Sequence, residues 1–405
     1  MTSDGLESET SESKAQTNLG DFTGEYFRTL DPLAPDDLPP ELAKDLSYLL
    51  RYDIYHSLSQ VDIPPALRSE FVGLTPDEPL SATLGNLEGL LAEGRFLLAA
   101  YMCGAILTSS SISPTDNKLV FALFYTRLAC LELSGHAILA AHESKALEDL
   151  TSAFYYVDII HKSSDNATEQ NQSKNLRHIV PWPLRVLAVR LQSIGFGDSR
   201  RGIGGLYEIG LEAWREIMQP NISRDEKSIW KERLAELGIR SVNALIEMGD
   251  LDAAKRSLHN MRKSGSWSDA NKLRKVLLFL VIGDMDGAKQ LLSEADPSEE
   301  ALFKPLISMS EGNYKDAVVE WRELLENQPN RPDEAMISQN LAVCLLYTGQ
   351  LNEVRDIFTL MTESLTDISR PGNYSSHWSR PITLLLAWFS TCRRFTSFVP
   401  TNRIK

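Results

Sequence analysis

The sequence lacks the residue patterns on which most catalytic and metal-binding sites depend. Its four cysteines, Cys103, Cys130, Cys344 and Cys392, are far apart, and none has zinc-ligand spacing with another cysteine or a histidine. The seven histidines are scattered, and no HExxH, GxSxG, Walker A or EF-hand pattern occurs. We therefore expect buried thiols in a reducing compartment, no cofactor or metal ion, and no enzymatic activity.

Long hydrophobic runs and a basic field are also missing. The longest apolar run, Ile382–Phe389, is too short to span a bilayer, and the first residues have neither the basic nor the apolar region of a secretory signal. The formal net charge of −14 gives no field that attracts phosphate groups. These features predict a cytoplasmic protein whose partners are other proteins, with no nucleic acid and no direct membrane insertion.

Composition divides the chain into four parts. The first holds nine acidic and two basic residues and is predicted to be a disordered acidic tail. Within it, residues 21–40 are either a linker or a short segment that docks on a partner or on the chain's own helices. The second part is a helical lead-in, with a helix predicted over Glu41–Ser57, and a linker. The third is a helical array with a polar insertion at 162–178, and the fourth is an atypical basic tail. The four parts are residues 1–40, 41–81, 82–365 and 366–405.

The helical array repeats one pattern of glycine, alanine and large apolar residues. Its clearest copy is EGNYKDAVVEWRELLENQP, in which Gly312 ends one helix because a left-handed position is cheap only without a Cβ atom. Tyr314 packs the turn, Ala317 is small where two helices cross, and Trp321 continues the apolar face. Pro329 stops the second helix. This is the second half of a tetratricopeptide (TPR) hairpin.

The same spacing recurs along the chain. Turn glycines are predicted at Gly94, Gly135, Gly249, Gly283, Gly312 and Gly349. A small residue five positions later is predicted at Ala99, Ala140, Ala254 and Ala288, and Phe358 takes the place of Trp321 in the last copy. The clearest repeats fill residues 238–362. Since a single hairpin buries too little surface, stacking of neighbours must form the core. The predicted fold is all-α, a TPR-like right-handed helical solenoid.

Two further features have alternative interpretations. The glycine cluster Gly195–Gly205 resembles a phosphate-binding loop, but it follows no strand and lacks the P-loop lysine, which favours a helix C-cap and a turn. Trp214, Trp230 and Trp321 lie on apolar helix faces and are predicted to be core residues. Trp267, in a polar loop, is the candidate interface residue, and the alternative is that it caps the next hairpin.

Five segments, taken in order, resemble the family of subunit 12 of the trafficking protein particle (TRAPP) complex. They cover residues 82–365, about 70% of the chain, and the last two are the most specific. The segments are LAEGRFLLAAYMCGAIL (91–107), KLVFALFYTRLACLELSGHAILAAHE (118–143), AFYYVDII (153–160), VPWPLRVLAVRLQ (180–192) and SQNLAVCLLYTGQLNEV (338–354).

The resemblance implies a non-catalytic subunit of a TRAPP vesicle-tethering complex. These complexes act in ER-to-Golgi and intra-Golgi traffic and in autophagy, and they promote nucleotide exchange on a Rab GTPase through their small core subunits. The implied partners are other TRAPP subunits, above all the large peripheral ones, and indirectly the GTPase. The implied location is the cytoplasm, in peripheral association with Golgi and early secretory membranes.

The resemblance does not extend to the basic tail, and a second function stays open. Residues 370–405 contain no acidic residue, and we interpret the end of the chain as the product of an unspliced intron, a frame change or an alternative exon. The alternative is a genuine, divergent tail whose basic and aromatic residues contact a membrane or an acidic partner. The alternative function is a free-standing TPR adaptor that binds peptide segments of other proteins. Adaptors that grip C-terminal peptides need a basic clamp, and the apolar stretch Leu341–Cys344 offers none.

Overall fold

The computed structural model divides the chain into two compact units, residues 1–91 with 95–202 and residues 92–94 with 203–405. It is all-α, as predicted, and within the described residues β structure is limited to two three-residue strands. The structure describes residues 30–34, 42–58, 63, 68, 71, 79–158, 176–220, 222–262, 269–293, 297–327 and 334–368.

Among its described residues the first unit has five α-helices of eight or more residues and a small antiparallel ladder. Its helices are α1 (Leu80–Ala92), α2 (Phe96–Leu107), α3 (Asn117–Leu133), α4 (Ala137–Ser144) and α5 (Trp182–Phe196). The ladder joins β1 (Tyr156–Asp158) to β2 (Leu176–His178), with Val157 opposite Arg177. Residues 176–178 of the predicted polar insertion are therefore a strand, and the rest of that insertion lies outside the described residues.

The second unit is a succession of antiparallel helices. Helix α6 begins in the first unit and continues into the second. The helices are α6 (Ser199–Ile217), α7 (Arg224–Met248), α8 (Leu251–Arg262), α9 (Asp269–Ile282), α10 (Met285–Leu292), α11 (Pro297–Ser310), α12 (Tyr314–Asn327), α13 (Glu334–Thr348) and α14 (Leu351–Ile368). Consecutive helices from α7 to α14 form the predicted hairpins.

The turn glycines give both units their repeated geometry. All six glycines that the sequence places at turns have φ between 73° and 86°. The N–H of the residue after each glycine donates a hydrogen bond to the carbonyl five residues earlier, in the preceding helix. Examples are the bonds from Asp284 N to Phe279 O (2.9 Å) and from Asn313 N to Ser308 O (2.8 Å). This bond satisfies a carbonyl that the helix end leaves free.

The alanines that follow the turns mark where helices cross. Each alanine five residues after a turn glycine is fully buried, and in the last hairpin the larger Val354 is nearly so. A side chain of one carbon lets two helix backbones approach closely, so the position selects small residues. The buried alanines are Ala99, Ala140, Ala254, Ala288 and Ala317.

The glycine cluster ends one helix and begins the next. Gly197 caps α5 in the left-handed conformation (φ 63°), and α6 starts two residues later, inside the cluster. Gly202 is then a helical residue, and a Cβ atom added there would lie 2.6 Å from the Cβ of Ser193. Close packing of the two segments therefore explains this glycine.

The lead-in before α1 differs from the continuous helix predicted over Glu41–Ser57. The structure has two short 3-10 turns, Ser47–Leu50 and Tyr52–Ile54. The backbone of Lys44 instead bonds the side-chain amide of Asn117, accepting at 2.7 Å and donating at 3.0 Å. Tertiary hydrogen bonds thus replace the helical ones, which the local sequence pattern cannot reveal.

A short piece of the acidic tail also makes tertiary contacts. Asp31 is buried, and its carboxylate accepts a hydrogen bond from Trp182 N at 2.7 Å, at the start of α5. A carboxylate is favourable at a helix N-terminus because the amide groups there lack partners. Residues 30–34 therefore differ from the disorder predicted for residues 1–40, and they fit the alternative of a segment docked on the chain's own helices.

An ion pair is buried in the core of the first unit. Arg127 on α3 donates to both oxygens of Glu143 on α4, at 2.7 and 2.6 Å. Its remaining donors bond the carbonyls of Ala100 and His56, and the guanidinium lies 4.9 Å from the ring centre of Tyr55. Through these hydrogen bonds the ion pair links the lead-in, which contains His56, to helices α2, α3 and α4.

Candidate protein-interaction surfaces

Helix α6 carries a row of large apolar side chains that point into solvent. Tyr207, Leu211, Trp214 and Met218 are each between 51% and 62% exposed. Their spacing of four, three and four residues places them on one side, over about 17 Å. Met218 directly follows the last residue of α6, and its N–H still bonds the carbonyl of Trp214 at 3.2 Å, so it continues the row. We call these four side chains the α6 stripe. A contiguous apolar surface of this kind marks an interaction site more often than scattered single residues do.

The α6 stripe is separate from the face by which α6 packs in its own unit. Leu206, Ile209, Ala213 and Ile217 are all buried. On the same side of the helix, a Cβ atom added at Gly210 would lie 3.8 Å from Leu234 of α7. The helix therefore has two apolar faces, of which only one is covered within the described residues.

A second exposed apolar surface lies on the last described helix, α14. Leu351 and Phe358 are two helical turns apart, on one side of α14, and are 64% and 46% exposed. We call these two side chains the α14 face. Val354 lies between them on the same side of α14 and is buried against α13, so the α14 face is the exposed edge of the surface by which the helix packs.

Phe358 differs from the residues at the same position of the earlier hairpins. Nine residues after the turn glycine, the earlier hairpins have side chains that are at most 4% exposed. In those hairpins the neighbouring helices cover the position; Trp321, for example, packs against α13. These residues are Cys103, Ser144, Leu258, Leu292 and Trp321.

Of the three tryptophans predicted to be core residues, two are buried and one is exposed. Trp321 is fully buried and Trp230 nearly so, whereas the prediction is wrong for Trp214, which belongs to the α6 stripe. An apolar face was correctly recognised on α6, but that helix has two such faces, and the pattern does not tell which is covered. The predicted interface residue Trp267 and the helix stop Pro329 lie outside the described residues.

Tyr314 packs at the turn where the sequence placed it. Its ring stacks on that of Tyr347 of α13, with 4.3 Å between the centroids and an angle of 5° between the planes. Phe358, placed among the structural repeat positions, is instead half exposed. The sequence signal that would have found the α6 stripe is the second apolar series on α6, which runs parallel to the buried one.

The described cysteines are free thiols within the core. Cys103, Cys130 and Cys344 are buried and form no disulfide. Burial raises the pKa of Cys130 to about 12 and that of Cys344 to about 11, and it also raises the pKa of Cys103. A thiol with so high a pKa stays protonated at neutral pH and is a poor nucleophile.

The described residues offer no other site of recognisable chemistry. They contain no group of three or more His, Cys, Asp or Glu side chains arranged to hold a metal ion. Every helix in the described parts of the chain is too short or too polar to cross a bilayer. The exposed apolar surfaces of α6 and α14 are therefore the candidate functional sites.

Comparisons with known proteins add no family to these observations. Neither a scan against protein-family models nor a search of curated proteins found a match to this chain.

Proposed function

We propose that this chain is a non-catalytic interaction subunit of a TRAPP vesicle-tethering complex. The observation that carries the proposal is the open α14 face at the end of an array of hairpins. The complex is suggested by the resemblance of the five segments, the last of which forms α13 and the start of α14. Repeat arrays serve many roles, so the fold supports binding and the segments support the choice of partner.

The α14 face is suited to accept a helix from another subunit. Phe358 occupies a position that is buried in each earlier hairpin, so an added helix would complete a packing arrangement that the array already repeats. An aromatic side chain seated in such a position would contribute much of the binding energy. The partner in this proposal is a large peripheral TRAPP subunit with a helical surface.

In this role the chain holds other proteins and performs no chemical step. It acts on the Rab GTPase only through the complex, and it reaches Golgi and early secretory membranes through its partners. The net charge of −14 accords with this, since an acidic protein gains nothing from an anionic membrane surface.

The test is affinity purification of the tagged full chain from cells, with TRAPP subunits identified by mass spectrometry. We expect TRAPP subunits to co-purify with the unaltered chain. The amount that co-purifies with the double variant Leu351→Asp/Phe358→Asp should be at least 10-fold lower. The control is Val319→Asp, which places one aspartate at an exposed apolar residue of α12. All three chains should have the same far-UV circular dichroism.

Two results would contradict the proposal. Retention of chaperones without any TRAPP subunit would favour the free-standing TPR adaptor. Equal retention of TRAPP subunits by the double variant and by Val319→Asp would show that the α14 face is not where they bind.

A further inference from the structure

The spacing of the α6 stripe is that of a coiled-coil seam. Two heptad positions, d and a, alternate at intervals of four and three residues. In this register Tyr207 and Trp214 are d residues, and Leu211 and Met218 are a residues. All four are exposed. A single helix cannot bury such a seam, so its occupant is a second helix that carries a matching one.

The charged residues beside the seam indicate which helix matches. Glu208 and Arg215 follow the two d residues directly, so they occupy e positions, and both are exposed. The g positions on the opposite flank are Gly210 and Ile217, which carry no charge. The helix therefore has one acidic and one basic residue on the same flank, seven residues apart.

This arrangement is complementary to itself in one orientation only. In an antiparallel pair the e flank of each helix faces the e flank of the other, so Glu208 of each copy lies opposite Arg215 of its partner. In a parallel pair the e flank faces the g flank, where Gly210 and Ile217 provide no charged group. Self-complementarity about a two-fold axis is what an isologous dimer requires.

The geometry points to a homodimer in which α6 packs antiparallel against α6 of a second copy of this chain. The two-fold axis passes between residues 212 and 213. Leu211 of one copy then packs beside Trp214 of the other, and Tyr207 packs beside Met218, which uses all four stripe residues twice. In this register Glu208 of one copy and Arg215 of the other are offset by two residues, about 3 Å along the helix axis. Both side chains are long enough to bridge that offset.

The small size of the stripe indicates a weak dimer. With about half of each side chain exposed, the four residues offer roughly 450 Å² per copy. The total of roughly 900 Å² is typical of weak and transient complexes rather than permanent ones. We therefore expect a dissociation constant on the order of 10–100 μM.

Sedimentation equilibrium of the purified full chain, over protein concentrations on both sides of that range, tests the dimer. We expect a monomer–dimer equilibrium for the unaltered chain and at least 10-fold weaker association for Trp214→Asp. The Val319→Asp control should associate as the unaltered chain does, because Val319 lies on α12, outside the stripe.

A charge exchange tests the antiparallel orientation. Glu208→Arg alone and Arg215→Glu alone each place like charges opposite one another, and each should weaken association several-fold. An equimolar mixture of these two single variants should associate as strongly as the unaltered chain, since both e positions are then basic in one chain and acidic in the other. The variant that carries both exchanges should also associate as the unaltered chain does.

The inference is overturned if the unaltered chain stays monomeric throughout, or if Trp214→Asp leaves association unchanged. It is also overturned if Trp214→Asp removes TRAPP subunits from the affinity purification, because the stripe would then bind a different protein. The α14 variants are independent of this test: Leu351→Asp/Phe358→Asp should dimerise normally even though it loses TRAPP subunits.

Discussion

Replacing Trp321 by alanine tests whether the hairpins are held together by their buried large residues. Trp321 on α12 is fully buried among Ile337, Leu341 and Leu345 of α13, and its indole N–H lies 3.4 Å from the sulfur atom of Met309. The substitution removes the whole indole ring and leaves a cavity that the two helices cannot close without moving.

The expected cost is about 3–5 kcal/mol, the range for large aromatic residues in well-packed cores. The matched control is Trp214→Ala, the same substitution at a tryptophan that is half exposed. Because half of its surface is already in water, we expect a loss of at most about 2 kcal/mol.

Urea unfolding followed by far-UV circular dichroism measures both variants without relying on tryptophan fluorescence. Since repeat arrays need not unfold in one step, amide hydrogen exchange of α12 and α13 should be measured alongside. We expect Trp321→Ala to lower protection throughout these two helices. A loss below about 1 kcal/mol, or one no larger than that of Trp214→Ala, would refute the reasoning.

Three further predictions follow from single contacts. Gly312→Ala places a Cβ atom at φ 81° and should cost about 1–2 kcal/mol in urea unfolding. Gly204→Ala, in a helix where the new Cβ atom meets no other part of the structure within 4 Å, should stabilise by up to about 1 kcal/mol. Arg127→Met leaves the buried Glu143 carboxylate without its counter-charge and should cost about 3–5 kcal/mol, and Arg127→Met/Glu143→Leu should recover part of this loss. Burial lowers the pKa of Lys275 from 10.5 to about 8. Between these values the unfolded chain binds more protons, so the stability of the unaltered chain relative to Lys275→Met should rise from pH 8 to pH 10.5, by up to about 3 kcal/mol.

Each of these predictions has a result that contradicts it. A neutral Gly312→Ala would mean that the turn relaxes to another conformation. A double Arg127/Glu143 variant less stable than Arg127→Met would mean that Glu143 stabilises the fold without its arginine, for example through the hydrogen bond from His56 N at 2.9 Å. A stability difference at Lys275 that does not change with pH would mean that this amine keeps its ordinary pKa in the folded chain.

Local features of the sequence were sufficient to predict the fold class and many repeat positions. A glycine at a helix end and an alanine five residues later are conformational and steric requirements of the hairpin itself. They operate within about ten residues, so they can be read without knowing what packs against the hairpin. Gly283 with Ala288 and Gly312 with Ala317 show this directly.

The lead-in and the acidic tail could not be predicted in the same way. Leu46 and Leu49 have helical spacing, yet their segment forms a 3-10 turn, and the N–H of Leu46 donates instead to the carbonyl of Pro114, far along the chain. Asp31 similarly finds its partner, the N-terminus of α5, about 150 residues away. Contacts at such separations depend on the assembled tertiary structure and leave no periodic signal.

Helix ends and helix crossings in the array could be predicted from the sequence alone, because they depend on the presence or absence of a Cβ atom at a few positions. Which apolar faces are covered depends on the tertiary structure. Trp321 and Trp214 lie on apolar faces of similar pattern, but one is enclosed by α13 and the other is open to solvent. Burial is a property of the neighbours as much as of the residue, and for α6 and α14 the described neighbours leave one apolar face exposed.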